Sequence, residues 1–257
     1  MTTRQPLFLG PVRIDSVTRD EALGSIESLV SSRRGGAVFT PNVDHVMIAH
    51  EDFRMRAAYA RVDLSIADGM PIVWVSRLLG APLPERVAGS DLVPLLLERA
   101  ALRGWRVYFL GGAPGVAERA RDKVLERLPE LLVVGVDSPR FDPAEPWERQ
   151  ASVVTRIRAA AADVVLVAFG APKQEAWIDF ARDELESVVF MGVGATLDFL
   201  AGDIPRSPEW MARSGLEWVY RLSREPKRLW QRYLLRDTKF LLVLARALGD
   251  RHRSSAD

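Results

Sequence analysis

Short apolar runs alternating with amphipathic stretches set the rhythm of this chain. Leu7-Phe8-Leu9 and Val12-Arg13-Ile14 flank Gly10-Pro11 and predict two short strands around a turn. Thr18 followed three residues later by Glu21 predicts a capping box, opening a helix to about Ser32 that stops at Gly35-Gly36. The strand Ala37-Val38-Phe39 runs into Thr40. Val43 to Arg61 has mixed helical spacing, with Val46, Met47, Ala57, Ala58 and Tyr59 expected to face the core. A second apolar run, Leu64 to Ala67, delivers Asp68-Gly69. Leu92 to Arg103 reads as an amphipathic helix, with Asp91 as its expected N-cap and Gly104 as its stop.

From Arg106 onward the alternation becomes regular. Strands are predicted over Arg106 to Leu110, Leu132 to Val136, Val164 to Phe169 and Val188 to Val193. Helices follow to about Leu128, through Ala161 and to about Leu185, the second of them after an acidic, proline-bearing loop from Asp137 to Pro146. Strand-helix repetition of this kind predicts an α/β fold: a largely parallel sheet flanked by helices, Rossmann-like in its second half, with a short N-terminal strand pair. Ligands of such sheets bind beyond the carboxyl ends of the strands. Thr40, Asn42, Asp68 and the Arg86–Asp91 segment all fall there, so the stretch from Thr40 to Asp91 is the first candidate site.

Composition narrows the classes. The 257 residues, 48% apolar and 27% charged, suit one large soluble domain or two small ones. With no cysteine, disulfides, thiolate catalysis and zinc–cysteine sites are excluded. The N-terminus has no signal-peptide core, and no apolar run approaches the ~20 residues of a membrane-spanning helix, so a cytoplasmic protein is expected. The net charge of +1 conceals an asymmetry: residues 206–253 hold ten arginines, Lys227 and Lys239 against five acids, +7 in all, which leaves −6 on the rest. Arg228, Arg232, Arg236 and Lys239 form one helical stripe with aromatic neighbours, among them Trp230, Tyr233 and Phe240. We therefore divide the chain into an α/β core, 1–205, and a basic helical appendage, 206–257, suited to an anionic membrane surface or to packing on the body with its basic face solvated. Nucleic acid is not expected, because the charge is confined to one end and no nucleic-acid motif is present.

Candidate chemistry sits in the loops. Gly111-Gly112-Ala113-Pro114-Gly115 joins a strand to a helix, where backbone amides favour an anion, although tight α/β turns need glycine anyway. It is no P-loop, and Gly192-Val193-Gly194 carries Leu197 where a dinucleotide fingerprint wants glycine. In Gly170-Ala171-Pro172-Lys173-Gln174-Glu175, Gln174 can both donate and accept, while Glu175 reads as a solvated residue favouring the helix dipole. Asp68, at a strand end before Gly69, could accept a proton from a bound hydroxyl, or simply turn the chain. Asp198 could bind a ligand hydroxyl or be structural. His45 and His50 are five apart and do not share a helical face. The chain has no Asp-x-Asp pair, so no metal site is advertised and no cofactor is expected.

Taken together, the chain resembles the WecG/TagA/CpsF family of bacterial glycosyltransferases. The likeness rests on Thr40-Pro41-Asn42-Val43-Asp44, Ala67-Asp68-Gly69-Met70, Arg86 to Asp91, Gly111-Gly112, Gly170 to Trp177, Gly192 to Asp198, Arg206 to Met211 and Gly215 to Trp218. It spans essentially the whole chain. The resemblance implies an inverting, metal-independent enzyme that moves a sugar from a UDP-sugar to a polyprenyl-diphosphate-linked saccharide, in cell-surface polysaccharide or teichoic acid synthesis. It implies Asp68 as general base and Arg86 acting on the diphosphate. Thr40, Asn42 and Gln174 would line the pocket; to these the reading of the loops adds Gly111, Gly112, Gly194 and Asp198 as candidate substrate contacts. Arg221 and Arg224, with Arg213 or Arg228, would come from an appendage that closes the site on the inner face of the cytoplasmic membrane. The donor stays open among N-acetylmannosamine, its uronic acid, glucose and glucuronate; the oligomeric state, a homo-oligomer included, also stays open. Two rival classes stand beside it: an NAD-dependent oxidoreductase, favoured only by the glycine turns, and a non-catalytic binder of anionic membranes.

Overall fold

The structure is a computed structural model that describes residues 4–139, 151–208, 210–211, 214–224 and 240. Two short strands, β1 (Leu7–Leu9) and β2 (Val12–Ile14), pair antiparallel. Helix α1 (Arg19–Ser31) opens with the expected capping box, Thr18 and Glu21 satisfying each other's backbone amides. Strand β3 (Gly36–Phe39) follows, then α2 (Val43–Glu51) and α3 (Phe53–Ala60). The sequence between Val43 and Arg61 forms two helices because the Asp52 carboxylate captures the amides of Arg54 and Met55 at 2.8 and 3.0 Å, restarting the helix there. The restart turns Ala57 outward, against expectation, and Met55 takes its place in the core.

Next come β4 (Leu64–Ser65), α4 (Met70–Leu78), α5 (Gly89–Arg103), β5 (Arg106–Gly111), α6 (Val116–Arg127) and β6 (Leu132–Asp137). Among the described residues the chain continues through α7 (Ala151–Ala159), β7 (Val164–Ala168), α8 (Lys173–Glu184), β8 (Val189–Gly192), α9 (Thr196–Ala201) and α10 (Glu217–Arg224). The loop expected over Asp137 to Pro146 lies largely outside the described residues, as does the basic stripe from Arg228 to Lys239. Helix α5 starts at Gly89 with Ala88 at its cap, so Asp91 is not the N-cap but a first-turn residue whose carboxylate is left for other partners.

Six strands form one parallel sheet in the order β4-β3-β8-β7-β5-β6. Its central strand, Val164-Val165-Leu166-Val167-Ala168, is buried at every position, as a parallel strand covered on both faces requires. One face packs under α2, α3, α4, α7 and α8, with Phe39, Trp177 and Phe190 fully buried. The other packs under α1, α5, α6 and α9. Phe240 joins the first of these cores, so at that residue the appendage lies on the body rather than in a membrane.

This topology fixes where a ligand can sit. The helix leaving β3 passes to one face and the helix leaving its neighbour β8 passes to the other, which opens a crevice between their carboxyl ends. The N-terminal hairpin secures the edge beside that crevice. Asp15, just past β2, exchanges two hydrogen bonds with Ser65 of β4, at 2.7 and 2.9 Å. A strand of two residues is thereby held at the sheet edge.

Candidate active site

Thr40 and Asn42 follow β3 directly. The Thr40 hydroxyl donates to the carbonyl of Gly192, at the end of β8, over 3.4 Å, and so bridges the mouth of the crevice. Gly89 lies against Thr40; a Cβ there would meet its methyl at 3.3 Å. Asn42 caps α2, its side-chain oxygen accepting from the amide of His45 at 3.3 Å.

Asp68 lies three residues past β4. Its amide donates to the carbonyl of Pro41 at 2.8 Å, while the next rung is made by the amide of Val87 on the carbonyl of Ala67 at 2.9 Å. The sheet ladder thus extends beyond β4 and places Arg86 beside Asp68, with 4.0 Å between guanidinium and carboxylate. Arg86 is mostly buried and meets three acids: Asp68, Asp91 at 2.6 Å and Glu217 at 3.2 Å. Glu217 opens α10 and meets Arg86, and Arg206 reaches Asp91 at 3.2 Å, so two residues of the C-terminal segment join the cluster around Arg86. Gly215 brings that segment close to α4: a Cβ there would come within 2.5 Å of the Trp74 ring and 3.0 Å of Met70. Its φ of +72° also favours glycine.

On the other side of the crevice the groups are dry. Gln174 and Glu175, in the first turn of α8, are buried to 2% and 0% exposure. Gln174 donates through Nε2 to Glu175 Oε1 at 2.7 Å and accepts through Oε1 from the amide of Gly194 at 3.1 Å. Gly192 must be small, since a Cβ would meet Gln174 Nε2 at 2.9 Å. Behind them, His45 Nδ1 lies 3.8 Å from Glu175 Oε1 and shares a 2.8 Å hydrogen bond with the Tyr59 hydroxyl. Burial lifts the Glu175 carboxyl from 4.5 to about 7, against the stabilising hydrogen bond from Gln174 and with a further push from the charge of Asp44. Burial and the Glu175 charge also hold the Tyr59 phenol well above its ordinary range.

The remaining predicted residues are spread along the same edge. Gly111 and Gly112 have positive φ, and each has a packing reason for being glycine: a Cβ would meet the backbone of Ala168 at 2.8 Å or the side chain of Val116 at 3.1 Å. Asp198, in the first turn of α9, acts electrostatically on Arg119 of α6, whose guanidinium lies over Gly115 and pairs with Asp203. Arg224 is exposed and stacks over Tyr220 at 5.5 Å, two turns beyond Glu217. The Arg221 side chain, Arg213 and Arg228 lie outside the described residues. Among the described residues no cluster of three or more histidine or acidic side chains is placed to hold a metal ion, and no helix is long and apolar enough to cross a membrane.

The profile of the glycosyl transferase WecG/TagA/CpsF family matches residues 8–254. The chain belongs to this family. It is 32% identical over 205 residues, 80% of its own length and 77% of the relative's, to the N-acetylglucosaminyldiphosphoundecaprenol N-acetyl-β-D-mannosaminyltransferase of Bacillus spizizenii. Family membership makes the chain a glycosyltransferase and displaces hydride transfer as its chemistry.

Within this glycosyltransferase the fold brings together what the sequence scattered. Asp68 and Arg86 stand side by side, and Thr40 and Gln174 both engage the β8 end, at Gly192 and Gly194. Glu175 is the correction: no solvated helix-start residue, it is fully buried. Its burial was encoded in helical spacing, because 174, 175, 177, 178 and 181 form the inward stripe of α8. His45 and Tyr59, its neighbours from α2 and α3, were missed as chemistry because nothing in sequence spacing joins them to residue 175.

Proposed function

We propose that the chain is an inverting glycosyltransferase that moves a sugar from a UDP-sugar to a polyprenyl-diphosphate-linked saccharide, in the synthesis of a cell-surface polysaccharide or teichoic acid. The observation carrying this reading is the Asp68–Arg86 pair, 4.0 Å apart at the carboxyl edge of the sheet and beside the crevice between β3 and β8. The name of the relative supports a lipid-diphosphate acceptor, and for that reason we take N-acetylmannosamine as the first donor to test; its uronic acid, glucose and glucuronate follow.

In this reaction the Asp68 carboxylate takes the proton of the acceptor hydroxyl as that oxygen attacks the anomeric carbon. A new C–O bond forms on one face of the sugar while the bond to UDP breaks on the other, and UDP leaves with the electron pair. Charge then grows on the departing diphosphate. Arg86 suits it, because a planar guanidinium can hold two phosphate oxygens at once. To do so it exchanges contacts with Asp91 or Glu217 for the phosphate, which couples donor binding to the position of α10. Amides at the Gly111–Gly115 turn and at the start of α9 supply further preorganised positive ends. The chemistry assigned here uses no metal, so turnover should survive EDTA.

Residues 206–257 act as an appendage to the 1–205 core that associates with the inner membrane face. Trp74, Trp210, Leu216, Trp218 and Val219 are all exposed around the close contact at Gly215, and the +7 charge of residues 206–253 suits anionic lipid. The test is a panel of UDP-sugars with a short-chain polyprenyl-diphosphate N-acetylglucosamine acceptor, following UDP release and product. UDP-N-acetylmannosamine is expected to give transfer; no turnover with any UDP-sugar would sink the reading.

A further inference from the structure

The proposed chemistry has no use for the buried acid behind Gln174. A carboxylate fully withdrawn from water carries a large penalty unless its partners compensate, and natural cores seldom keep one without a task. The geometry gives it one. Gln174 has two orientations of its amide, related by a flip that exchanges donor and acceptor. Only one orientation places Oε1 toward the Gly194 amide, and the Glu175 oxygen selects it by accepting from Nε2 at 2.7 Å. The inverted amide would set two oxygens, one of them a carboxylate's, against each other and two N–H groups likewise. Gly192, with no side chain, leaves the room in which the amide lies.

Glu175 is itself backed, on the same face of the sheet, by the helices that follow β3. His45, 3.8 Å away, belongs to the helix that Asn42 caps and is bonded to Tyr59. Asp44 on the same helix adds its charge, and Tyr59 comes from α3. A chain of contacts therefore runs from Asn42 through His45, Glu175 and Gln174 to Gly194.

Resting on the glycosyl-transfer reading above, we infer that Glu175 is a positioning residue: it fixes the orientation of the Gln174 amide and, through it, the Gly192–Gly194 turn that receives the donor. Glu175 does not touch substrate. It acts through Gln174.

The experiment compares Glu175→Met, which removes the acceptor at similar length, with Glu175→Gln, whose side-chain carbonyl still accepts from Gln174. Glu175→Met should raise the KM for UDP-N-acetylmannosamine about tenfold, the scale of one lost hydrogen bond to a binding group, and change kcat much less. Glu175→Gln should recover most of the affinity. In a double-mutant cycle, adding Glu175→Met to Gln174→Ala should cost nothing further. Additive losses, or equal KM values in wild type and Glu175→Met, would overturn the inference. A second arm needs no turnover: the side-chain NH₂ resonances of Gln174, identified by their absence in Gln174→Ala, should be a widely split, slowly exchanging pair in the wild type. They should collapse toward free-glutamine positions in Glu175→Met and persist in Glu175→Gln. Unchanged resonances in Glu175→Met would refute the positioning role even if the transfer reaction were not the one proposed. A wild type that binds neither UDP nor UDP-sugar by calorimetry would remove that reaction while leaving this arm decisive. Should Glu175→Met fold poorly, Glu175→Asp withdraws the same carboxyl by one methylene and should show the same collapse.

Discussion

The two walls of the crevice use the same kinds of group in opposite environments. On the β4 side, Asp68, Arg86, Asp91 and Glu217 form a partly solvated cluster whose ionic contacts share one guanidinium. On the β7 and β8 side, Gln174, Glu175, His45 and Tyr59 are buried, and their partners are near neighbours. Charges near water rearrange at small cost, whereas a buried polar network is expensive to disturb. The open wall can therefore exchange a carboxylate for a phosphate during a reaction cycle, and the closed wall can serve as the fixed reference against which it moves.

The sharpest way to break this contrast is at the proton acceptor. Asp68→Asn keeps size and polarity but cannot take a proton, so kcat should fall by about 10²–10⁴-fold while thermal stability stays nearly unchanged. Near wild-type turnover would remove Asp68 from its role.

The closed wall should show itself in pH dependence. Because the folded Glu175 pKa is raised from 4.5 to about 7, the folded protein binds that proton more tightly than the unfolded chain does. Its contribution is therefore most favourable below 4.5 and is lost as pH rises to about 7, by roughly 3 kcal/mol at 1.36 kcal/mol per pKa unit. Urea unfolding at pH 5 and pH 8 should show wild type losing stability relative to Glu175→Gln across that interval. Glu21, Asp163, Asp183 and Asp203 shift the other way, and their stabilising effect is already complete above their ordinary values of 4.5 or 3.8. A flat difference between the two proteins would show that the wall is wetter than the structure implies.

A smaller effect is expected where the appendage meets α4. Gly215→Ala places a Cβ against Trp74 in a backbone conformation that costs about 1–3 kcal/mol for a residue other than glycine. The 214–224 segment should loosen, with faster proteolysis and altered tryptophan emission, while the core's unfolding midpoint holds. An unaltered cleavage rate would mean that this contact does not hold the segment.

Much of this architecture was legible in the sequence for a physical reason: parallel strands and their covering helices follow hydrophobic period, and period is local. Strand ends put Thr40, Asp68, Gly111 and Gly194 at one edge with no need of long-range knowledge. Roles that depend on distant partners were not legible. Asp91 looked like a cap because its only visible context was the following helix, yet its carboxylate is taken by Arg86 and Arg206. Glu175 looked solvated because it is acidic and stands at a helix start; its place on the inward stripe of α8 encodes the burial, but only the fold brings His45 and Tyr59 to it. The tail pattern left open a membrane surface or a helix packed on the body, and at Phe240 the second holds, because the residue is covered by the core.

The smallest effect separates a contact that holds from one that merely fills space. Glu217 approaches Arg86 at 3.2 Å with about a quarter of its side chain still exposed, and such pairs contribute about 0–1 kcal/mol. Glu217→Gln should therefore leave the unfolding midpoint almost untouched. Its consequence should appear in donor binding, because UDP competes with Glu217 for the same guanidinium. Removing one competitor should tighten UDP binding by up to a few-fold, and added salt should shrink the difference by screening the pair it removes. Calorimetry with UDP at low and high ionic strength reads both. A weaker affinity in Glu217→Gln would mean that Glu217 orients Arg86 for the diphosphate instead of withholding it, and the open wall would then be preorganised in the same sense as the closed one.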